Sequence, residues 1–113
     1  MPQRDRRAYL WDIAQAADHI AAFTHGKSFE DYASDVLLRS AVERQFEIIG
    51  EAPNQVLHLD PALETRITHA RRIVAFRNRL IHAYAVVADA VVWGIIEADL
   101  PTFRQEVSAL LTE

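Results

Sequence analysis

The chain has 113 residues, half of them hydrophobic and a quarter charged, and its formal net charge at pH 7 is −4. This length suits a single domain, 1–113, with a buried core, and the composition is typical of a globular rather than a disordered protein. The absence of cysteine excludes disulfide bonds and thiolate metal sites. No secretory signal or membrane-spanning stretch is recognisable, so we expect a soluble, cytoplasmic protein that does not engage a membrane.

The first half of the chain predicts two helices. Apolar residues at three- and four-residue steps favour a helix from about Asp5 to Thr24, and its apolar face would consist of Tyr9, Ile13, Ala16, Ile20 and Phe23. After a break at THGKS, Ser28 or Asp31 is expected to cap a second helix. Pro53 should kink or end that helix, because proline lacks a backbone donor. Its core residues would be Leu38, Val42, Phe46 and Ile49, flanked by Ala41 and Ile48.

The second half predicts two further helices. Asp60 is expected to cap a third helix with Pro61 in its first turn, and one stripe of it would contain Leu63, Ile67, Ala70, Val74, Arg77 and Ile81. A final helix is predicted from Asp89 with a kink at Pro101, and its inner side would contain Val92, Trp93, Ile96, Leu100, Phe103, Val107 and Leu110. No stretch alternates long enough for a strand. The predicted fold class is therefore all-α, an antiparallel up-down bundle of four main helices, or five if a break divides one.

The charge is unevenly distributed along the chain. The stretch 65–88 contains no acidic residue, and its five arginines give it a charge of +5, which leaves −9 for the remainder. A basic stripe on an acidic body suits an anionic ligand held at one place, such as a phosphate backbone. The alternative is a solvated helix face whose arginines pair with acidic residues elsewhere. The arginines are Arg66, Arg71, Arg72, Arg77 and Arg79, accompanied by His69 and His82.

Within this stripe, the segment FRNRLIHAY, residues 76–84, combines groups suited to a phosphodiester. Histidine exchanges a proton near neutral pH, which gives His82 a candidate role in proton transfer. The guanidinium of Arg77 can bind a phosphate and the charge that grows on it, and Asn78 can orient a ribose hydroxyl. This chemistry requires no metal or cofactor, and we expect neither. Taken singly, a histidine placed as His82 is on a largely apolar helix is more often structural, and a tyrosine such as Tyr84 is more often a ring at the edge of the core.

Helical geometry separates the two main candidate catalytic residues. Arg77 and His82 are five residues apart, which places them about 140° apart around a straight helix. Arg77 and Tyr84 are seven apart and share a face. Either the helix bends, or a second copy of the chain completes the site.

The segment RNRLIHAY resembles the signature of the HepT-like proteins of the HEPN superfamily. The similarity extends over essentially the whole chain: YLWDIAQAADHIAAFTHG looks like the first helix of that family, AVERQFEIIGEA like the second, and VVWGIIEADLPTF like the last. The combination of IGEA, RNRLIHAY and a tryptophan followed by DLP is more specific than the arginine-to-histidine spacing alone. The resemblance implies a HEPN-like helical bundle.

This resemblance also implies a function. Such proteins are toxin ribonucleases of toxin–antitoxin pairs, in which Arg77, Asn78 and His82 would form an RNA-cleaving site without metal. Members are usually homodimers whose two motifs face one cleft. The partner antitoxin is a small nucleotidyltransferase that transfers AMP from ATP to the motif tyrosine, here Tyr84. Glu51 of IGEA and Arg79 would be supporting residues.

Two other functions fit the same sequence features. Helical bundles of this kind also resemble the non-catalytic substrate-binding subunit of two-part nucleotidyltransferases, in which the arginines would hold a nucleotide and no RNA would be cleaved. Alternatively, the basic stripe would be a surface for an acidic protein partner. Cleavage that depends on His82 distinguishes the ribonuclease from both.

Overall fold

The structure is a computed structural model that describes residues 6–59, 62, 66–67, 75 and 89–112, with the side chains of the first range as far as Glu51. No β-strand occurs among these residues, which confirms the predicted all-α fold class. Five helices are described. They are α1 (Arg6–Thr24), α2 (Phe29–Ser34), α3 (Val36–Leu59), α4 (Asp89–Ala98) and α5 (Leu100–Leu111).

Helix α1 ends at Thr24, as predicted. The buried Thr24 hydroxyl donates a hydrogen bond to the Ile20 carbonyl at 2.8 Å, and the Lys27 N–H donates to the Thr24 carbonyl at 3.0 Å. Gly26 has φ 71°, a left-handed conformation that glycine adopts without the steric penalty of a side chain. The THGKS segment therefore stops the helix through its glycine.

The predicted second helix is two helices, which corrects the sequence-based boundary. Ser28 and Asp31 together form a capping box at the start of α2: the Ser28 N–H donates to Asp31 Oδ2 at 2.9 Å, and the Asp31 N–H donates to Ser28 Oγ at 3.1 Å. Asp35 then adopts an extended conformation, and its carboxylate accepts from the Leu38 N–H at 3.1 Å. An aspartate that caps a new helix interrupts the preceding one.

Helix α3 continues through Pro53 to Leu59, so the proline does not end the helix. The predicted start of the next helix, at Asp60 and Pro61, lies outside the described residues. Of the stripe expected for that helix, Ile67 is described: it is fully buried, as expected, but the backbone turns at residues 66–67, so the prediction that Ile67 lies in a helix is wrong. The other members, Leu63, Ala70, Val74, Arg77 and Ile81, lie outside the described residues.

The final helix is divided at Asp99, two residues before the predicted kink at Pro101. Hydrogen bonds from the Asp99 N–H to the Ile95 carbonyl (2.9 Å) and from the Phe103 N–H to the Asp99 carbonyl (3.1 Å) cross this junction. Pro101 occupies the first turn of α5, where its missing N–H leaves no hydrogen bond unmade.

The core surrounds α1, which packs against both α3 and α5. The residues predicted to be buried on α3, α4 and α5 are buried, and so are Ile13, Ala16 and Ile20 of α1. Phe23 was predicted wrongly to share that face: its ring is 38% exposed and stacks on His19, with the ring centroids 5.9 Å apart. The sequence pattern missed Leu10, which is completely buried.

Among the described helices, none is both long enough and apolar enough to cross a bilayer.

Candidate functional site

The predicted catalytic residues lie outside the described part of the chain. These are Arg77, Asn78 and His82, together with the supporting Arg79 and the predicted modification site Tyr84. Of the predicted site residues, Glu51 is described: it is half-buried in α3. In sequence, α3 ends at Leu59, well before the motif, and α4 begins five residues after Tyr84.

Helix α3 carries a row of carboxylates that ends at Glu51. Glu43, Glu47 and Glu51 are four residues apart and therefore lie on one face of the helix. All three are half-buried. Glu47 accepts a hydrogen bond from the Arg44 guanidinium at 3.1 Å. The row gives α3 a negative face, which precedes the acid-free stretch 65–88 in the sequence.

At the first of these carboxylates, α2, α3 and α4 meet in a polar junction, which we define as Tyr32, Arg39, Glu43 and Asp89. Arg39 Nε lies 3.9 Å from Asp89 Oδ1, with the two side chains 25% and 35% exposed. The same guanidinium donates to the Ala33 carbonyl in α2. One arginine of α3 therefore contacts both α2 and the first residue of α4.

An aromatic contact supports this junction from the core. The Tyr32 and Trp93 ring centroids are 5.5 Å apart with a 36° angle between the ring planes, a separation typical of favourable aromatic pairs. Tyr32 is fully buried, and its hydroxyl has no hydrogen-bond partner among the described residues. Because Trp93 is one turn beyond Asp89, the ion pair and the aromatic contact hold two successive turns at the start of α4.

The junction also shifts the pKa of two acids. Burial raises the pKa of the Tyr32 hydroxyl, and the carboxylates of Glu43 and Asp89 raise it further. Burial likewise raises the pKa of Glu43; Asp89 adds to this effect and Arg39 opposes it. Tyr32 is thus a neutral phenol in a negative environment, which makes it unsuited to act as a nucleophile at neutral pH.

Apart from the junction, the described residues form an open groove of about 880 Å³ between α1 and α5. Trp11, which is 57% exposed, and Pro101 contribute apolar walls. Asp18 Oδ1 accepts from Arg104 Nε at 3.0 Å and from the neighbouring guanidinium nitrogen at 2.9 Å. The two charges that line this groove therefore neutralise each other.

Within the described ranges, no three histidine, aspartate or glutamate side chains are grouped so that they could hold a metal ion.

The sequence reasoning did not find the junction at α2, α3 and α4. Arg39 and Asp89 are fifty residues apart, and neither belongs to a recognisable spacing. The available signal was Tyr32, because an aromatic residue directly after the capping box of a short helix is expected to pack against a neighbouring element. Its partner, Trp93, was predicted to face the core and does.

Comparison with known proteins identifies a family. The family model "Ribonuclease HepT-like" matches residues 13–110. A Thermococcus cleftensis protein named as a probable ribonuclease HepT is 36% identical over 112 residues, which cover 96% of this chain and 97% of that protein.

Two further relatives are named as candidate RNases. One, from Methanocaldococcus jannaschii, is 32% identical and covers 95% of this chain and 97% of its own length. The other, from Caldanaerobacter subterraneus, is 32% identical and covers 93% of each chain. No solved structure shows a significant match.

The raised pKa of Glu43 predicts a pH-dependent effect of Glu43→Gln. The folded chain binds the proton of the Glu43 carboxyl group more tightly than the unfolded chain does. The stability that this protonation contributes is therefore complete below the ordinary glutamate pKa, and it is lost as the pH rises through the raised pKa. Replacement by the neutral amide should therefore raise Tm at pH 7 relative to the parent protein. At pH 4 the difference should shrink, because the parent side chain is then largely protonated. Thermal unfolding followed by circular dichroism at both pH values measures this.

Glu47→Gln is the matched control, one turn along the same face. It removes the ion pair with Arg44, a surface contact worth roughly 0–1 kcal/mol, and should leave Tm unchanged or lower at pH 7. A lower Tm for Glu43→Gln at pH 7 than for the parent would contradict the prediction.

Proposed function

Because the chain belongs to the Ribonuclease HepT-like family, we propose that it is an endoribonuclease and the toxin of a toxin–antitoxin pair. The observation that carries this proposal is the family match over residues 13–110, a range that includes the complete motif RNRLIHAY. We further propose a single domain, 1–113, that acts in the cytoplasm, where both RNA and ATP are available.

The proposed reaction is an intramolecular transesterification. His82 accepts the proton of a ribose 2′-hydroxyl, whose oxygen forms a bond to the adjacent phosphorus. The bond from phosphorus to the 5′ oxygen breaks, and that oxygen takes up a proton. The products are a 2′,3′-cyclic phosphate and a 5′-hydroxyl end. Arg77 would bind the non-bridging oxygens as their negative charge grows, Asn78 would orient the ribose, and Arg79 and Glu51 would support the site.

We propose that the site is composite. The five-residue separation of Arg77 and His82 places their side chains about 140° apart on a straight helix, so one copy of such a helix does not direct both groups at one phosphate. Two copies of the chain, with their motifs facing a common cleft, would place Arg77 of one next to His82 of the other. A homodimer would thus be the catalytic unit.

We propose that a nucleotidyltransferase antitoxin neutralises the toxin at Tyr84. The tyrosine oxygen would attack the α-phosphorus of ATP, the bond to the β-phosphate would break, and pyrophosphate would leave. The attached AMP carries a negative charge on the face that Tyr84 shares with Arg77 in a helix. It would occupy the phosphate site and repel RNA by the same electrostatics through which phosphorylation acts.

The ribonuclease proposal predicts that the purified protein cleaves RNA in the presence of EDTA. His82→Ala and Arg77→Ala should each lower the cleavage rate by at least about 10²-fold, the scale expected for loss of a proton-transfer group or of a charge-stabilising group. Cleavage of a fluorescent RNA measures the rate, and mass spectrometry of the fragments should detect the cyclic phosphate.

The matched control is His25→Ala, an exposed histidine after α1 that lies outside the motif. It should cleave at the parent rate. If His82→Ala, Arg77→Ala and the parent are equally active, the nuclease assignment is wrong. Nucleotide binding by calorimetry without RNA cleavage would instead support the non-catalytic subunit.

The composite site predicts complementation between two inactive variants. Co-expression of Arg77→Ala and His82→Ala with different affinity tags, followed by selection of the mixed dimer, should restore about half of the parent activity. The reason is that one of the two Arg77–His82 pairings across the common cleft then has an intact arginine and an intact histidine. The doubly substituted chain paired with the parent is the control, since neither pairing then has both groups. An inactive mixed dimer would show that each chain uses its own pair.

The antitoxin proposal predicts that Tyr84 carries AMP after co-expression with a nucleotidyltransferase. Intact-mass analysis should show an AMP adduct on the parent and none on Tyr84→Phe, because the phenylalanine lacks the accepting oxygen. Tyr9→Phe, a change at a half-buried tyrosine of α1, should retain the adduct. Adducts that persist undiminished on Tyr84→Phe would place the modification elsewhere.

A further inference from the structure

The groove between α1 and α5 is lined by described residues, and none of them belongs to the motif. Its volume of about 880 Å³ falls in the range of about 300–1,000 Å³ that is typical of ligand sites. Trp11 and Gln15 of α1 form one wall, and Gln105 and Ser108 of α5 form the other. Residues three or four apart share one face of a helix, so each wall is a continuous strip of side chains.

The walls combine an aromatic surface with amide and hydroxyl groups. Trp11 is 57% exposed, so much of its indole ring is accessible to a ligand. The side chains of Gln15, Gln105 and Ser108 make no hydrogen bond to any residue in the described part of the chain. A carboxamide offers both donors and an acceptor. A ligand with a flat face and with donor and acceptor atoms along its edge would therefore match both kinds of group.

Two contacts between the helices define the polar ends of the groove. The Arg7 guanidinium donates to the Leu111 carbonyl at 3.0 Å. Farther along, Asp18 Oδ1 accepts from two nitrogens of Arg104 at 3.0 and 2.9 Å. Asp18 and Arg104 are the charged residues that line the groove, and they neutralise each other. The groove therefore does not repel an anionic polymer as the acidic remainder of the chain does.

These features favour a nucleobase over a helix of another protein. An apolar helix would bury the amides of Gln15 and Gln105 without partners, and such groups are costly to leave unsatisfied. A base would instead stack on the indole ring and present donors and acceptors to the amides. The chain belongs to the Ribonuclease HepT-like family. Unstacked bases of single-stranded RNA are commonly recognised by stacking on aromatic side chains.

We propose that the α1–α5 groove is a binding subsite for an unstacked base of single-stranded RNA. Trp11 provides the surface on which the base stacks, and Gln15 and Gln105 hydrogen-bond to its edge. No residue of the groove takes part in bond making or breaking. The use of this subsite by a substrate RNA rests on the proposed function, whereas binding of the base does not.

Binding of an RNA without free 2′-hydroxyls tests the subsite directly. The probe is a short, fluorescently labelled oligoadenylate with 2′-O-methyl riboses, which lacks the nucleophile of the proposed reaction. Adenine offers a donor and an acceptor that pair with a carboxamide. Trp11→Ala should weaken binding about tenfold, the scale expected for loss of one base-stacking aromatic residue. Fluorescence anisotropy measures the affinity. The tenfold ratio should be the same at low and high salt, because stacking neutralises no phosphate.

Phe23→Ala is the matched control, because Phe23 is another exposed aromatic residue of α1 and does not line the groove. It should bind the oligoadenylate as tightly as the parent. Gln105→Leu, a change at an exposed position of α5, is the second variant and should weaken binding about fivefold, as expected for one neutral hydrogen bond. Equal affinity of the parent and Trp11→Ala, or no binding by the parent, would overturn the inference.

A protein occupant of the groove would give a different result. If Trp11→Ala binds the oligoadenylate like the parent but dissociates a parent dimer in sedimentation experiments, the groove is an interface between copies of the chain and the inference is wrong.

Steady-state cleavage separates the inference from the proposed function. With a cleavable RNA, Trp11→Ala should raise KM about tenfold and leave kcat nearly unchanged, because the lost contact is made in both the ground state and the transition state. A parent protein without His82-dependent cleavage would refute the proposed function and leave the oligoadenylate titration to decide the base subsite. An active parent whose KM is unaltered in Trp11→Ala would show that the substrate does not use the groove.

Discussion

The buried face of α1 is the constraint on which the described fold depends. Leu10, Ile13 and Ile20 are completely buried, and Ala16 and Ala17 nearly so. Each large side chain of this kind contributes about 1.5–3 kcal/mol when it is removed from water, and the alanines allow neighbouring helices to approach closely. Helices α3 and α5 both pack on α1. The two halves of the chain are therefore assembled on its first helix, and the motif lies in sequence between them.

The elements on either side of the motif are held in different ways. Before it, α3 is anchored by apolar burial, with Val42, Phe46 and Ile49 in the core. After it, the first two turns of α4 are held by an ion pair and an aromatic contact between Tyr32 and Trp93, in addition to the burial of Val92. Apolar burial is insensitive to salt, whereas an ion pair is screened by it. The ion pair at the start of α4 is thus the contact that ionic conditions can alter.

Helical periodicity predicted most of the described fold from the sequence, since every residue expected in the cores of α4 and α5 is buried. It failed where a local polar interaction competed with the helix: Asp35 caps α3 and so separates it from α2. It also failed at Phe23, because a three-residue step at the end of a helix still permits an exposed position. The junction at Arg39 could not be predicted, because a contact between residues fifty positions apart produces no periodic pattern in the sequence. The catalytic assignments to Arg77, Asn78 and His82 stay predictions, since they concern residues outside the described ranges.

The uneven distribution of charge along the chain bears on where RNA would bind in the proposed reaction. The stretch 65–88 carries +5 and the remainder −9, and α3 presents Glu43, Glu47 and Glu51 along one face. An anionic polymer is repelled by most of such a surface and attracted to one basic segment, so electrostatics limits where RNA can bind while contributing little to non-specific affinity. The same asymmetry bears on the proposed modification of Tyr84. An AMP group there would add negative charge to the stretch that carries +5, and so weaken its attraction for RNA while the repulsion by the acidic remainder stays.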